Sequence, residues 1–146
     1  PQAPAKGLLV IKQLKEAGIT AQLLTGEVLI GRDVVKEHGE AMEGMIGIEP
    51  YFDENAPKAK AFLDKYKAAY GEPAFPFFQA AAYDIVYLLK EAISQYGEDT
   101  EKVRDWLYNV KDWDGAIGKL TLDSNGDPIL EYAKRQVVGG KLVDLT

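Results

Sequence analysis

In 21-AQLLTGEVLIGRD-33 an apolar run meets a Thr25-Gly26 break and then a single carboxylate, Glu27. The run 21-AQLLT-25 is short, mostly apolar and bounded by turn residues, which reads as a buried strand. It follows closely on Gly18, a residue suited to the left-handed cap of a preceding helix. Helix, tight turn and buried strand in succession is the rhythm of an α/β sheet. Glu27 then stands at the carboxyl end of a strand, where open α/β sheets hold their ligands.

Working outward, the residues before Gly18 carry Gly7, Val10, Ile11, Leu14 and Ala17 at helical spacing, with lysines and Glu16 opposite. Beyond Glu27, 32-RDVVKEHG-39 reads as a short helix with Asp33 in its first turn and Gly39 as its stop. A second strand is expected over 44-GMIGI-48, ended by Pro50 and 53-DENAP-57. Strand-and-helix alternation gives way to long helices here, so a boundary is placed near 49–52.

In 58-KAKAFLDKYKAAYG-71, Ala59, Phe62, Leu63, Tyr66 and Ala69 share one helical face. The longest helix is expected over 76-PFFQAAAYDIVYLLKEAISQYG-97, with Pro76 in the first turn and Phe77, Ala81, Ile85, Leu88 and Ala92 facing the core. Asp99 or Thr100 caps a further helix carrying Val103, Trp106, Leu107 and Val110. The period then changes. Leu120 and Leu122 alternate with polar residues, Asn125-Gly126 makes a turn, and 132-YAKRQVVGGKLVDL-145 reads as two short strands around Gly139-Gly140.

With 146 residues, 47% of them apolar, the chain can bury a real core. A net charge of −6 argues against nucleic acid or an anionic membrane as the main partner. The absence of cysteine excludes disulfides, thiolate metal sites and cysteine nucleophiles. No apolar run approaches the roughly 20 residues that span a bilayer. The opening 1-PQAPAKG-7 has no apolar signal-peptide core and no methionine, which reads as a cut piece of a longer protein.

Most polar motifs reduce to plain structure. His38 has no partner histidine and reads as a solvated helix-end residue, so no metal site is expected. The segment 123-DSNGD-127 lacks the further oxygens of a calcium loop and reads as a tight turn. In 115-GAIGKLT-121 the glycine spacing is too short for a phosphate loop, and a strand rather than a helix follows. Ser94 and Ser124 sit in no nucleophile elbow, so no catalytic residue and no cofactor is expected. Glu27 keeps two readings: an exposed loop carboxylate, or one presented to a cationic ligand group through a charge-assisted hydrogen bond. Phe77 and Phe78 are the second candidates, since adjacent helical residues point about 100° apart. Phe77 joins the core stripe, and Phe78 points either to a second core contact or into a cleft.

The ordered set 12-KQLKEAGI-19, Thr25-Gly26-Glu27, 39-GEAMEGMIGIEPYF-52, 57-PKAKAFLDKYKAAYGEPAFPFFQAAAYDIVYLLKEAI-93 and 117-IGKLTLDSNGDPI-129 resembles a known family. It looks like the C-terminal half of a type I periplasmic solute-binding protein of ABC transporters, from the Leu/Ile/Val-binding branch. That resemblance implies a fragment of a two-lobe α/β fold, with Rossmann-like lobes, parallel sheets flanked by helices, and a ligand trapped between the lobes. It assigns residues 1–49 and 131–146 to the second lobe and 50–130 to the first. It implies capture of an amino acid, branched-chain or related, and delivery to membrane permease subunits, from a periplasmic or lipid-anchored location. By position, Glu27 matches the acidic residue that binds the ligand ammonium, and Phe78 an aromatic that closes over the ligand. Ala3 falls where relatives for leucine carry an aromatic contact, a departure that also admits amides or aromatic acids as ligands. A ligand-sensing domain of a receptor or regulator with the same lobes is the alternative. Unpaired sheet edges further suggest that the fragment self-associates.

Overall fold

The computed structural model describes residues 4–145. The chain divides into two compact units, one running up to Pro50 and resuming at Tyr132, the other Tyr51–Glu131.

The first unit opens with helix α1 (Pro4–Glu16). It ends as Gly18 turns to φ 73° and the Ile19 amide donates to the Leu14 carbonyl at 3.0 Å. Strand β1 is only Leu24–Thr25, shorter than the apolar run suggests. It lies at the edge of the sheet, where Leu24 is 75% exposed and nothing rewards a longer ladder. A 3-10 helix (Glu27–Ile30), helix α2 (Arg32–His38) and a second 3-10 turn (Gly39–Met42) lead to strand β2 (Ile46–Pro50). Strands β5 (Tyr132–Val138) and β6 (Lys141–Asp144) complete the sheet in the order β1-β2-β5-β6. Among the described residues only β1 and β2 run parallel, with Leu24 opposite Ile46 and Thr25 opposite Gly47. The β2–β5 and β5–β6 pairings are antiparallel, so the sheet is mixed. Its core gathers Ile11, Ile30, Val35, Met42, Met45 and Val137.

The second unit is built on helices α3 (Pro57–Tyr70), α4 (Pro76–Tyr96) and α5 (Thr100–Leu107) and a small hairpin, β3 (Trp113–Gly115) with β4 (Gly118–Leu120). Prolines open α3 and α4, where a missing N–H costs nothing, and Gly71 and Gly97 end them at positive φ. Asp99 caps α5 by accepting the Lys102 amide at 3.1 Å.

The buried row of α4 is Ala80, Asp84, Leu88 and Ala92. This keeps Leu88 and Ala92 of the expected core stripe but corrects its first half: Ala80 and Asp84 are buried, Phe77 and Ala81 are only half-buried, and Ile85 is 55% exposed. The reason is polar. The Asp84 carboxylate accepts the Ala116 and Ile117 amides, both at 2.8 Å, and that pairing turns the helix so that residue 84 faces inward. Gly115 leaves the room, because a Cβ there would strike the Asp84 carboxylate and the Trp113 ring.

Candidate functional site

Glu27 begins the first 3-10 helix, two residues beyond the carboxyl end of β1. Gly26 precedes it in extended conformation, with φ −84° and ψ −175°, so the chain leaves the strand and folds straight into the turn. The turn is held by its own apolar residues. Leu29 packs on α1 at Gly7, and Ile30, 1% exposed, lies over β2 at Gly47. Glu27 is half-buried, and among the described residues no hydrogen bond or ion pair engages its carboxylate. Leaving a half-buried carboxylate without a protein partner is unfavourable unless water or a ligand satisfies it. The geometry gives an acceptor with two free oxygens past the end of a parallel pair, suited to an ammonium or another cationic donor.

The other sequence candidates fall elsewhere. Ala3 lies outside the described residues. Phe77 is half-buried on the second unit and packs edge-on against Phe52, with centroids 6.3 Å apart. Phe78 is 43% exposed and stands edge-on to both Phe77 and Phe75, at 5.3 and 6.4 Å. The two rings therefore diverge at the start of α4, one inward and one outward. His38 ends α2, with its Nε2 3.6 Å from the Glu37 carboxylate. The 123–127 segment is a tight turn. Asp123 accepts the Asn125 and Asp127 amides at 2.8 and 2.9 Å, which holds its carboxyl below the usual range.

One feature that composition and spacing leave unseen is a groove of about 720 Å³ within the second unit, lined by neither Phe77 nor Phe78. Its wall is a file of rings: Tyr70, Tyr66, Phe62, Tyr83 and Tyr87, with successive centroids 5.1, 5.7, 5.0 and 4.7 Å apart. A hydrogen bond to Tyr87 and partial burial push the Tyr83 phenol up. At the rim Lys58 lies 3.0 Å from Asp114, and hydrogen bonding to Lys58 together with the charge of Lys119 holds Asp114 low. The i, i+4 spacing of Tyr66 with Tyr70 and of Tyr83 with Tyr87 is the signal in the sequence, but only packing brings the two pairs into one file.

The mixed α/β unit carries the Glu27 carboxylate beyond its parallel pair, and two chain crossings lead to the helical unit. The crossings run side by side, Pro50 opposite Tyr132, with the Tyr51 amide donating to the Glu131 carbonyl at 2.8 Å. The sequence profile of the periplasmic binding protein family matches residues 2–141. The chain belongs to that family, as a type I member of its Leu/Ile/Val-binding branch. It is 34% identical over 125 residues to a leucine-, isoleucine-, valine-, threonine- and alanine-binding protein of Pseudomonas aeruginosa, covering 85% of this chain and 33% of that one. The crystal structure of a leucine binding protein from Thermotoga maritima superposes with a TM-score of 0.78 at 28% identity, over 98% of this chain and 41% of that one. An extracellular ligand binding receptor from Desulfohalobium retbaense gives 0.78 at 27% identity, over 99% of this chain and 25% of that one. The chain thus spans about a third of the length of the curated relatives it matches.

Proposed function

We propose that this chain is part of a solute receptor that captures an amino acid, branched-chain or closely related, and delivers it to the permease of an ABC importer. The receptor binds its ligand without transforming it, and works in the periplasm or on a lipid anchor facing the outside. Glu27 supplies the contact to the ligand ammonium. Phe78, with Phe77 behind it, supplies apolar surface to the ligand side chain. The two units correspond to parts of the second lobe (residues 1–49 and 131–146) and the first lobe (50–130), with the chain crossings near residues 50 and 131 as hinge strands.

The observation that carries this reading is Glu27 itself: a half-buried acceptor, unengaged among the described residues, at the strand end where α/β folds hold ligands. The names of the relatives, which include binders of leucine, isoleucine and valine, support the choice of an aliphatic amino acid. Calorimetry on the full-length polypeptide carrying these residues is the test. Glu27→Gln keeps the shape of the side chain but removes its charge. It is expected to weaken amino-acid binding by about 1.5–3 kcal/mol, the scale of a hydrogen bond to a charged group. Unchanged affinity removes Glu27 from the site.

A further inference from the structure

Gly7 in α1 and Gly47 in β2 are glycines without a conformational reason to be glycine, since neither has a positive φ. In a helix interior glycine is less favourable than alanine, and in a strand it weakens the ladder. Their reason is space. A Cβ on Gly7 would lie 2.7 and 2.9 Å from the two Leu29 methyl carbons. A Cβ on Gly47 would lie 2.6 Å from both Cδ1 and Cγ2 of Ile30. Leu29 and Ile30 are the third and fourth residues of the 3-10 helix that Glu27 begins. On the other side of Glu27, Gly26 has no atom beyond its chain neighbours within 4 Å of where its Cβ would be. Thr25, just before the turn, is paired with Gly47 in the ladder, and the close side-chain packing that holds the turn itself is at its end, through Leu29 and Ile30.

We propose that Gly7 and Gly47 are positioning residues for Glu27: by lacking a side chain they admit Leu29 and Ile30, and so fix the turn that carries the carboxylate. The inference rests on the assignment of Glu27 to the ligand ammonium. A charged hydrogen bond is steep in distance and angle, so a turn lifted by one methyl group on either side aims the carboxylate wrongly. The contacts to the rest of the ligand are left in place.

The test compares L-leucine with its 2-hydroxy analogue, in which a hydroxyl replaces the ammonium, by calorimetry on the full-length polypeptide. Wild type prefers leucine, and Glu27→Gln reduces that preference by about tenfold or more. Gly47→Ala and Gly7→Ala reduce it in the same direction, and Gly47→Ala combined with Ile30→Ala recovers part of it. Gly39→Ala is the control. Its added Cβ would collide with the Gly140 backbone, which costs stability but leaves the preference intact. If Gly47→Ala does not fold, Gly7→Ala decides alone, because the atoms nearest its added Cβ belong to the Leu29 side chain and not to any backbone. Alanine variants that keep the wild-type preference, or lose affinity for both ligands equally, overturn the positioning role while the reading of Glu27 stands. A wild type that does not distinguish the two ligands, or a Glu27→Gln variant that distinguishes them as well as wild type, overturns both.

Discussion

Glu43 shows how a single exposed side chain sets local order far along the chain. Its two carboxylate oxygens accept the Gly139 and Gly140 amides at 3.0 and 3.1 Å, and so close the turn between β5 and β6 from outside the hairpin. Those two amides hold the Glu43 carboxyl below its ordinary range, with a smaller contribution from Lys15. A lowered carboxyl pKa stabilises the fold above the ordinary glutamate range, and that contribution is lost as pH falls through the lowered value. The protection of the Gly139 and Gly140 amides, measured by NMR as exchange relative to the intrinsic rate at each pH, is therefore expected to fall on the acid side of the ordinary glutamate range. Glu43→Gln should flatten that pH dependence, and an unaltered profile in the variant would rule the contact out. Asp84 is the buried counterpart, at 3% exposure. Replacing it by alanine leaves the Ala116 and Ile117 amides without their acceptor. The expected loss is roughly 2–4 kcal/mol in denaturant unfolding, and a loss below about 1 kcal/mol would mean that water replaces the carboxylate. Neither partnership is legible locally, since each carboxylate meets amides 32 to 97 residues away.

At the scale of elements, α4 is apolar on two opposite sides. One side is the buried row Ala80, Asp84, Leu88 and Ala92. The other carries Phe78, Ala82, Ile85, Val86, Leu89 and Ile93, with Val86 at 64% exposure. At about 100° per residue these two sets lie on opposite faces. A helix with apolar residues on two sides has no single stripe to mark its inward side, which is why its length was legible and its orientation was not. Its limits follow from local chemistry, a proline at the start and a glycine at the end. The short strands were less legible. In β1 the apolar pattern outruns the ladder, and β3 arises only because β4 pairs with it. The exposed side also carries an expectation for behaviour in solution. Contiguous apolar surface of this kind drives association. The 146-residue chain is expected to sediment faster as its concentration rises, and Val86→Lys to reduce the effect. A sedimentation coefficient that stays flat with concentration would remove the expectation.

For the whole molecule, local patterns along the chain specify where the main helices run, where the two glycine-marked hairpin strands turn, and which family the chain belongs to. These properties are written in neighbouring residues: apolar period, caps, and the order of short segments. The sequence also set Glu27 just past a strand end, because strand, break and carboxylate are consecutive. How that carboxylate is held, through Leu29 against Gly7 and Ile30 against Gly47, follows from the packing of the folded chain. The tertiary structure likewise decided that Asp84 rather than Ile85 faces inward, and that five rings from α3 and α4 form one file. The physical reason is common to all three. Each depends on shape and hydrogen-bond complementarity between segments distant in the chain, and periodicity within one segment carries no record of what its partner leaves empty or unpaired.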